Sequence, residues 1–192
     1  MTVGFHQLEV GDTLEVKGPL GSFIWQGSGT ALWKGVSRKV TELGLVCGGS
    51  GMSLSKYLRD VDRLKERYST GITPILQVLR SVLHDHADTT TKLWLISANK
   101  TEFDILFREE IDRLCAQHSS RFHVHYVVSS HPPSDWPYDV GRVSEVMLRD
   151  HLPLPGKGGM ILACGPQGMI DLALKPGLRE CGWDIQRDLV TF

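Results

Sequence analysis

The sequence predicts an α/β fold: a parallel five-stranded nucleotide-binding sheet with helices on both faces, preceded by antiparallel β structure. Three observations predict it. From Thr41 onward, short apolar runs alternate with segments of helical periodicity, the pattern of a parallel sheet covered on both sides. Two of those apolar runs end in glycine turns, Gly48-Gly49-Ser50-Gly51 and Cys164-Gly165-Pro166-Gln167-Gly168-Met169. Before residue 41 the alternation has period two and is broken by Gly-Asp, Gly-Pro and Gly-Ser-Gly turns, as in β structure.

Taken in order, residues 9–17 turn at Gly11-Asp12, alternate at Leu14 and Val16, and stop at Gly18-Pro19. Phe23-Ile24-Trp25 is a second short β run. A β segment of this size leaves edges and buries little alone, so residues 1–40 read as the end of a domain that begins upstream. Residues 41–192 form the α/β unit. Leu43–Cys47 is a buried strand. Pro74–His84 has Ile75, Val78, Leu79 and Val82 on one helical face, with Pro74 in the first turn, where its missing N–H is harmless. Lys92–Ser97 is the next strand. Thr101–His118 is expected to be one helix, capped by Asn99 or Thr101, with Ile105, Leu106, Ile111, Leu114 and Cys115 as its stripe. Phe122–Ser129 is a strand, Val143–His151 a short helix, Gly159–Ala163 a strand, Met169–Cys181 a helix, and Asp188–Phe192 the last strand.

Composition excludes several functions. The chain has 192 residues, 41% hydrophobic and 22% charged, with a net charge of -1. These are globular values, and the charge argues against a nucleic-acid or membrane-surface binder. No apolar run has the length of a membrane span, and no signal peptide is visible. Cys47, Cys115, Cys164 and Cys181 are scattered, with no CxxC pair, so reduced thiols and a cytoplasmic setting are expected. The histidine pairs 84/86 and 123/125 have no third ligand in sequence reach, and no metal site is expected. GxSxG and paired-carboxylate signatures are absent.

The chemistry-bearing residues sit at strand ends. Glycines at 48, 49 and 51, with Ser50, let a phosphate approach the backbone; a plain tight turn is the structural alternative. Gly71-Ile72-Thr73-Pro74 opens the helix that should meet that phosphate. Residues 164–169 form the equivalent turn after another strand, where Cys164 could touch a bound ring or simply be a buried small residue. After the Lys92–Ser97 strand come Asn99 and Asp104. Asp104 is a candidate for a ribose hydroxyl, or else a first-turn acid stabilising its own helix. Arg108 would pair with Asp104 or reach a phosphate.

Residues 52–71 interrupt this pattern. Without them, strand, glycine turn and helix would be continuous. Within them Leu54, Tyr57, Leu58, Val61 and Leu64 share one face of an amphipathic helix. Two readings stand: a lid or partner-binding helix, or a retained in-frame intron. Either way the insertion separates the glycine turn from its helix, and weak nucleotide affinity is expected.

Several motifs in order, Lys17-Gly18-Pro19, Gly48–Gly51 with Ile72-Thr73-Pro74, Ala98–Glu102 with Asp104-Ile105-Leu106, Arg149–Pro153, Cys164-Gly165-Pro166 and the terminal Phe192, resemble the cytochrome b5 reductase family. Within it the chain is similar to the reductase portion of eukaryotic, fungal-type nitrate reductases. The resemblance implies that NADH or NADPH passes a hydride to FAD held by an adjoining β-barrel, and that electrons then leave singly for a haem domain. Haem and molybdenum cofactor would belong to upstream domains, which leave room for a homodimer. Residues 1–40 would be the truncated end of the FAD-binding barrel, with Thr2 the last remnant of its glycine-rich segment and the Arg-x-Tyr-Ser/Thr flavin motif upstream. Thr73 would lie near flavin and nicotinamide, and Cys164 would position the nicotinamide. Gly48, Gly49, Gly165 and Pro166 would bound the cleft, Asp104 would favour NADH, and Phe192 would end at the cofactor interface. The alternatives are a free-standing cytochrome b5 reductase and a non-catalytic nucleotide-binding remnant.

Overall fold

The computed structural model describes residues 21–49 and 71–192; Thr2, Ser50, Gly51 and the segment 52–70 lie outside the described residues. Three antiparallel strands come first: β1 (Phe23–Gly27), β2 (Thr30–Trp33) and β3 (Val36–Lys39), in the order β1-β2-β3. The larger unit contains β4 (Glu42–Gly49), α1 (Ile72–Leu83), β5 (Lys92–Asn99), α2 (Arg108–Gln117), β6 (Phe122–Val128), β7 (Asp139–Val140), α3 (Glu145–His151) and β8 (Gly159–Cys164). After β8, α4 (Gln167–Met169) runs through a π-helical turn (Ile170–Leu174) into α5 (Lys175–Glu180), and β9 (Leu189–Thr191) follows.

The strands of this unit form a single parallel sheet in the order β7-β6-β5-β4-β8-β9. It has six strands where periodicity predicts five. The additional β7 is two residues long, too short to leave a periodic signal. Side chains alternate between faces, so one strand feeds two cores. Leu43, Leu45, Leu93 and Leu95 pack with α1 and α2, and with Ala31 and Trp33 of the small sheet. Val46, Ile96, Ile161 and Ala163 pack with α3 and with Ile170, Leu174 and Leu178. The Cys47 thiol belongs to the first core; burial pushes its pKa up to about 12, so it stays protonated and acts as a small apolar group.

The predicted helix over 101–118 is instead two elements. Thr101 caps a 3-10 turn (Glu102–Asp104), and Phe107 then takes a left-handed φ of 58° before α2 begins. Asp104 accepts a capping bond from the Thr101 N–H at the start of that turn; Ile105 then turns extended, with φ -76° and ψ 97°, and α2 starts afresh. In the last helix, Pro176 has no N–H to donate to the preceding turn, and the π-helical turn lies immediately before α5. Ser144 caps α3 by accepting from the Met147 N–H at 3.4 Å.

Candidate functional site

β4 and β8 are neighbours, with Cys47 opposite Cys164. From β4 the strands β5, β6 and β7 extend one way, and β8 and β9 extend the other. An open parallel sheet leaves a crevice at such a reversal, beyond the carboxyl ends of the strands. Three turns of chain meet there. A Cβ added at Gly71 would stand 2.1 Å from the Cys164 carbonyl oxygen and 2.6 Å from that of Gly48. At Gly165 it would stand 3.0 Å from the Gly48 oxygen and 2.6 Å from Met169 Cε. At Gly48 it would meet Met169 Sδ at 2.4 Å. The first turn of α1 and the two glycine turns therefore lie backbone against backbone, under the Met169 thioether. At Gly71, where the nearest atoms are backbone, contact this close admits no side chain.

The start of α1 thus stands against the glycine turn. The separation expected from the insertion is absent: Gly48 and Gly71 touch, although the segment between them is long.

A cleft of about 680 Å³ opens beside this junction, within the range of small-molecule sites. Gly48, Gly49, Pro166, Gly168 and Met169 form one side. Asn99 at the end of β5, Lys100 after it, and Ser129 and Ser130 after β6 line the cleft as well. Gly141, Arg142 and Val143 after β7 close the far wall. The loops after β5 and β6 are tied together: the Ser129 N–H donates to the Asn99 carbonyl at 3.0 Å and Ser130 N–H to the Lys100 carbonyl at 2.8 Å. Among the described lining residues there are two cations, Lys100 and Arg142, and no carboxylate. The cleft therefore favours an anion.

Of the predicted site residues, Gly48, Gly49, Asn99, Pro166, Gly168 and Met169 line this cleft. Cys164, Gly165 and Gly71 form the packed junction beside it. Gln167 opens α4 and donates to Asp171 at 2.6 Å. Thr73 and Pro74 lie in the first turn of α1, with Thr73 exposed. Phe192 is half-exposed; its ring meets Phe23 edge-on at 6.0 Å, and its N–H donates to the Ala163 carbonyl. That contact joins β9 to the small sheet.

Two of the predicted residues are engaged elsewhere. Asp104 does not line the cleft. It is 8% exposed, and its Oδ2 accepts from the Thr101 N–H at 2.9 Å and from Thr101 Oγ1 at 2.7 Å, which is the capping alternative. Arg108 pairs with Glu102 and Asp112 rather than Asp104, and its guanidinium lies over Tyr126 and Trp136. Sequence reasoning missed Lys100, Ser129, Ser130 and Arg142. Their signal was positional: each follows a parallel strand at its carboxyl end, where ligands bind.

Fold and site together define an open α/β nucleotide-binding domain with its cleft at the reversal of strand order. Residues 69–175 match the oxidoreductase NAD-binding domain family. The chain belongs to that family. The NAD(P)H nitrate reductase of Hordeum vulgare is 40% identical over 188 residues, which are 96% of this chain and 19% of that protein. The NADH nitrate reductase 1 of Zea mays is 37% identical over 194 residues, 100% of this chain and 28% of the relative. The chain thus spans 19% and 28% of these two relatives, which are plant proteins. Among solved structures, the cytochrome b5 reductase domain of Ulva prolifera nitrate reductase superposes with a TM-score of 0.81 at 31% identity, over 97% of this chain and 63% of that one. Among the described residues, no helix is long and apolar enough to cross a membrane.

Proposed function

We propose that this chain is the pyridine-nucleotide end of a nitrate reductase-type flavoprotein. Held by the residues of the cleft, NADH or NADPH would supply a hydride, for which FAD would be the acceptor and a haem domain the outlet for single electrons. The observation that carries the reading is the junction of Gly48, Gly71 and Gly165 beside an acid-free cleft, in a chain similar to nitrate reductases along its length.

The residues fit a dinucleotide. Gly49 and Gly168 line the cleft, and a Cβ at Gly168 would meet nothing within 4 Å, so a phosphate can approach the backbone there. Lys100 and Arg142 lie on the cleft wall where they neutralise phosphate charge. Asn99, Ser129 and Ser130 offer neutral donors and acceptors for ribose hydroxyls, a role in which they replace Asp104. Because none of these is acidic, nothing in the described cleft repels a 2′-phosphate, and we read the site as open to both NADH and NADPH. Cys164 and Thr73, on β8 and α1 beside the junction, are the positions we assign to orienting the nicotinamide. On the flavin side, the small sheet and Phe192 form the described part of the interface, while Thr2 lies outside the described residues. We assign residues 1–40 to the flavin barrel and 41–192 to the nucleotide domain. A cytoplasmic location fits four cysteines that form no disulfide. A homodimer would form through domains upstream.

The test is fluorescence titration of the purified chain with NADH and NADPH, followed by ferricyanide reduction in the presence of FAD. Saturable binding that Arg142→Ala weakens about tenfold, the scale of one charged hydrogen bond, supports the site. No binding of either nucleotide sinks it. Binding without turnover at saturating FAD supports the nucleotide site but removes the reductase activity.

A further inference from the structure

Away from the nucleotide cleft, three side chains from three elements converge on one carboxylate oxygen. His125 on β6 places Nε2 3.0 Å from Asp139 Oδ2, and His151 at the end of α3 places Nε2 3.6 Å from the same atom. One ligand atom from each of the three lies within 4.8 Å of the others. Among the described residues this is the group of metal-ligating side chains so disposed. The sequence hides it, because the three are far apart along the chain and neither His84/His86 nor His123/His125 supplies it as a pair.

We propose that His125, Asp139 and His151 form a binding site for a borderline divalent transition ion, Zn²⁺ in particular. Two imidazoles and a carboxylate are the donor types that such ions select. The spacing fits. With Zn–N and Zn–O arms of about 2.0–2.2 Å, neighbouring ligands of a tetrahedral ion stand roughly 3.3 Å apart, and the observed 3.0 and 3.6 Å bracket that edge. The ligands are also held from behind. The Asp139 carbonyl accepts from Trp136 Nε1 at 3.1 Å, and the His125 ring meets Tyr138 edge-on at 5.5 Å. These contacts fix the backbone at Asp139 and one face of the His125 ring.

The two imidazole rings lie parallel, 3.4 Å apart. Stacked in this way, their in-plane lone pairs run side by side, so binding requires the rings to fan apart. His151 is 33% exposed and Asp139 44%, which gives both the freedom to move. A cavity of about 320 Å³ adjoins the two histidines and carries His123 and Asp150 on its wall. It provides room for the water or further ligand that completes the coordination. A bound ion would cross-link β6, the edge strand β7 and α3. This site rests on its own residues and is independent of the nucleotide reading.

The experiment is a titration of the full chain with Co²⁺, followed by absorbance, and with Zn²⁺, followed by calorimetry. Wild type, Asp139→Asn, His151→Ala and His86→Ala are compared, with folding of each checked by circular dichroism. One equivalent should bind with micromolar or tighter affinity. Either substitution in the cluster should weaken binding at least tenfold, and His86→Ala should leave it unchanged. Tetrahedral Co²⁺ bands without a thiolate charge-transfer band are expected, since no cysteine belongs to the cluster. Asp139→Asn retains the side chain's shape, so its loss of affinity reports the carboxylate. Absence of binding to wild type, a thiolate band, or equal affinity in the cluster variants would each overturn the proposal.

Discussion

Gly71→Ala tests whether the start of α1 is packed into the sheet. Gly71 has φ -57° and ψ -12°, helical values that alanine adopts without strain. In open space the substitution would stabilise by about 0.4–1 kcal/mol, through the unfolded chain. Here the added methyl would meet the Cys164 carbonyl oxygen at 2.1 Å and the Gly48 oxygen at 2.6 Å. Both are backbone atoms of central strands and cannot rotate aside. Overpacking of this kind costs about 1–3 kcal/mol, and immovable obstacles put the variant in the upper part of that range. Less the gain through the unfolded chain, a net loss of about 1–2.5 kcal/mol lowers the melting temperature by roughly 2–10 °C for a chain of this size. The assay is thermal and urea denaturation followed by circular dichroism, with Gly48→Ala as comparison. At Gly48 the nearest obstacles are Sδ and Cε of Met169, the mobile end of a flexible side chain, so that variant should lose less. The sign is decisive: a Gly71→Ala protein as stable as wild type, or more so, would refute the packing of α1 against the two glycine turns.

Three further outcomes follow from the same structure. Asp104→Ala should lose about 1 kcal/mol, the scale of a lost cap, while the ratio of NADH to NADPH affinity stays constant; a changed ratio would return Asp104 to the ribose. Lys100→Ala should weaken nucleotide binding several-fold at low salt and less at high salt, read by titration at two ionic strengths; a salt-independent loss would mean that Lys100 acts by shape rather than charge. Asp188 is 2% exposed; burial works to raise its pKa, but hydrogen bonds from Arg187 and Arg38 outweigh that and hold the carboxyl below its ordinary range. Its stabilisation is therefore complete above the unfolded value of about 3.9 and is lost as pH falls through the lower folded value. Urea midpoints near neutrality and at acid pH should differ less in Asp188→Asn than in wild type.

What could be seen in the sequence was what local physics decides. Apolar runs ending in glycine marked β4 and β8, because a strand that stops at a glycine turn leaves its signature within a few residues. The turn chemistry of Thr101 and Asp104 was also visible, as the plainer of two readings. The left-handed Phe107 was not, since a half-exposed aromatic residue carries no signal for positive φ, and so two elements read as one helix. Lys100, Ser129, Ser130 and Arg142 were missed for a different reason. Nothing in their own neighbourhoods is unusual; they become a site only because β5, β6 and β7 stand in that order and bring their carboxyl ends to one crevice. His125, Asp139 and His151 converge by the same route.

The insertion makes the point most clearly. Residues 52–71 look disruptive in a linear reading, because they divide a continuous motif. Loop length, however, enters the closure entropy only logarithmically, at about 0.6 kcal/mol per doubling. What holds Gly71 in place is its own contact with two strand ends, together with the burial of Ile72, Ile75, Leu76 and Leu79 behind it. The apolar face of α1 and its start glycine specify the docking, so chain inserted before them lengthens the path without moving its end. It follows that deleting residues 52–70 should leave the cleft's nucleotide affinity within a few-fold of the full chain. A tenfold or greater gain on deletion would show instead that the inserted segment competes with nucleotide for the cleft.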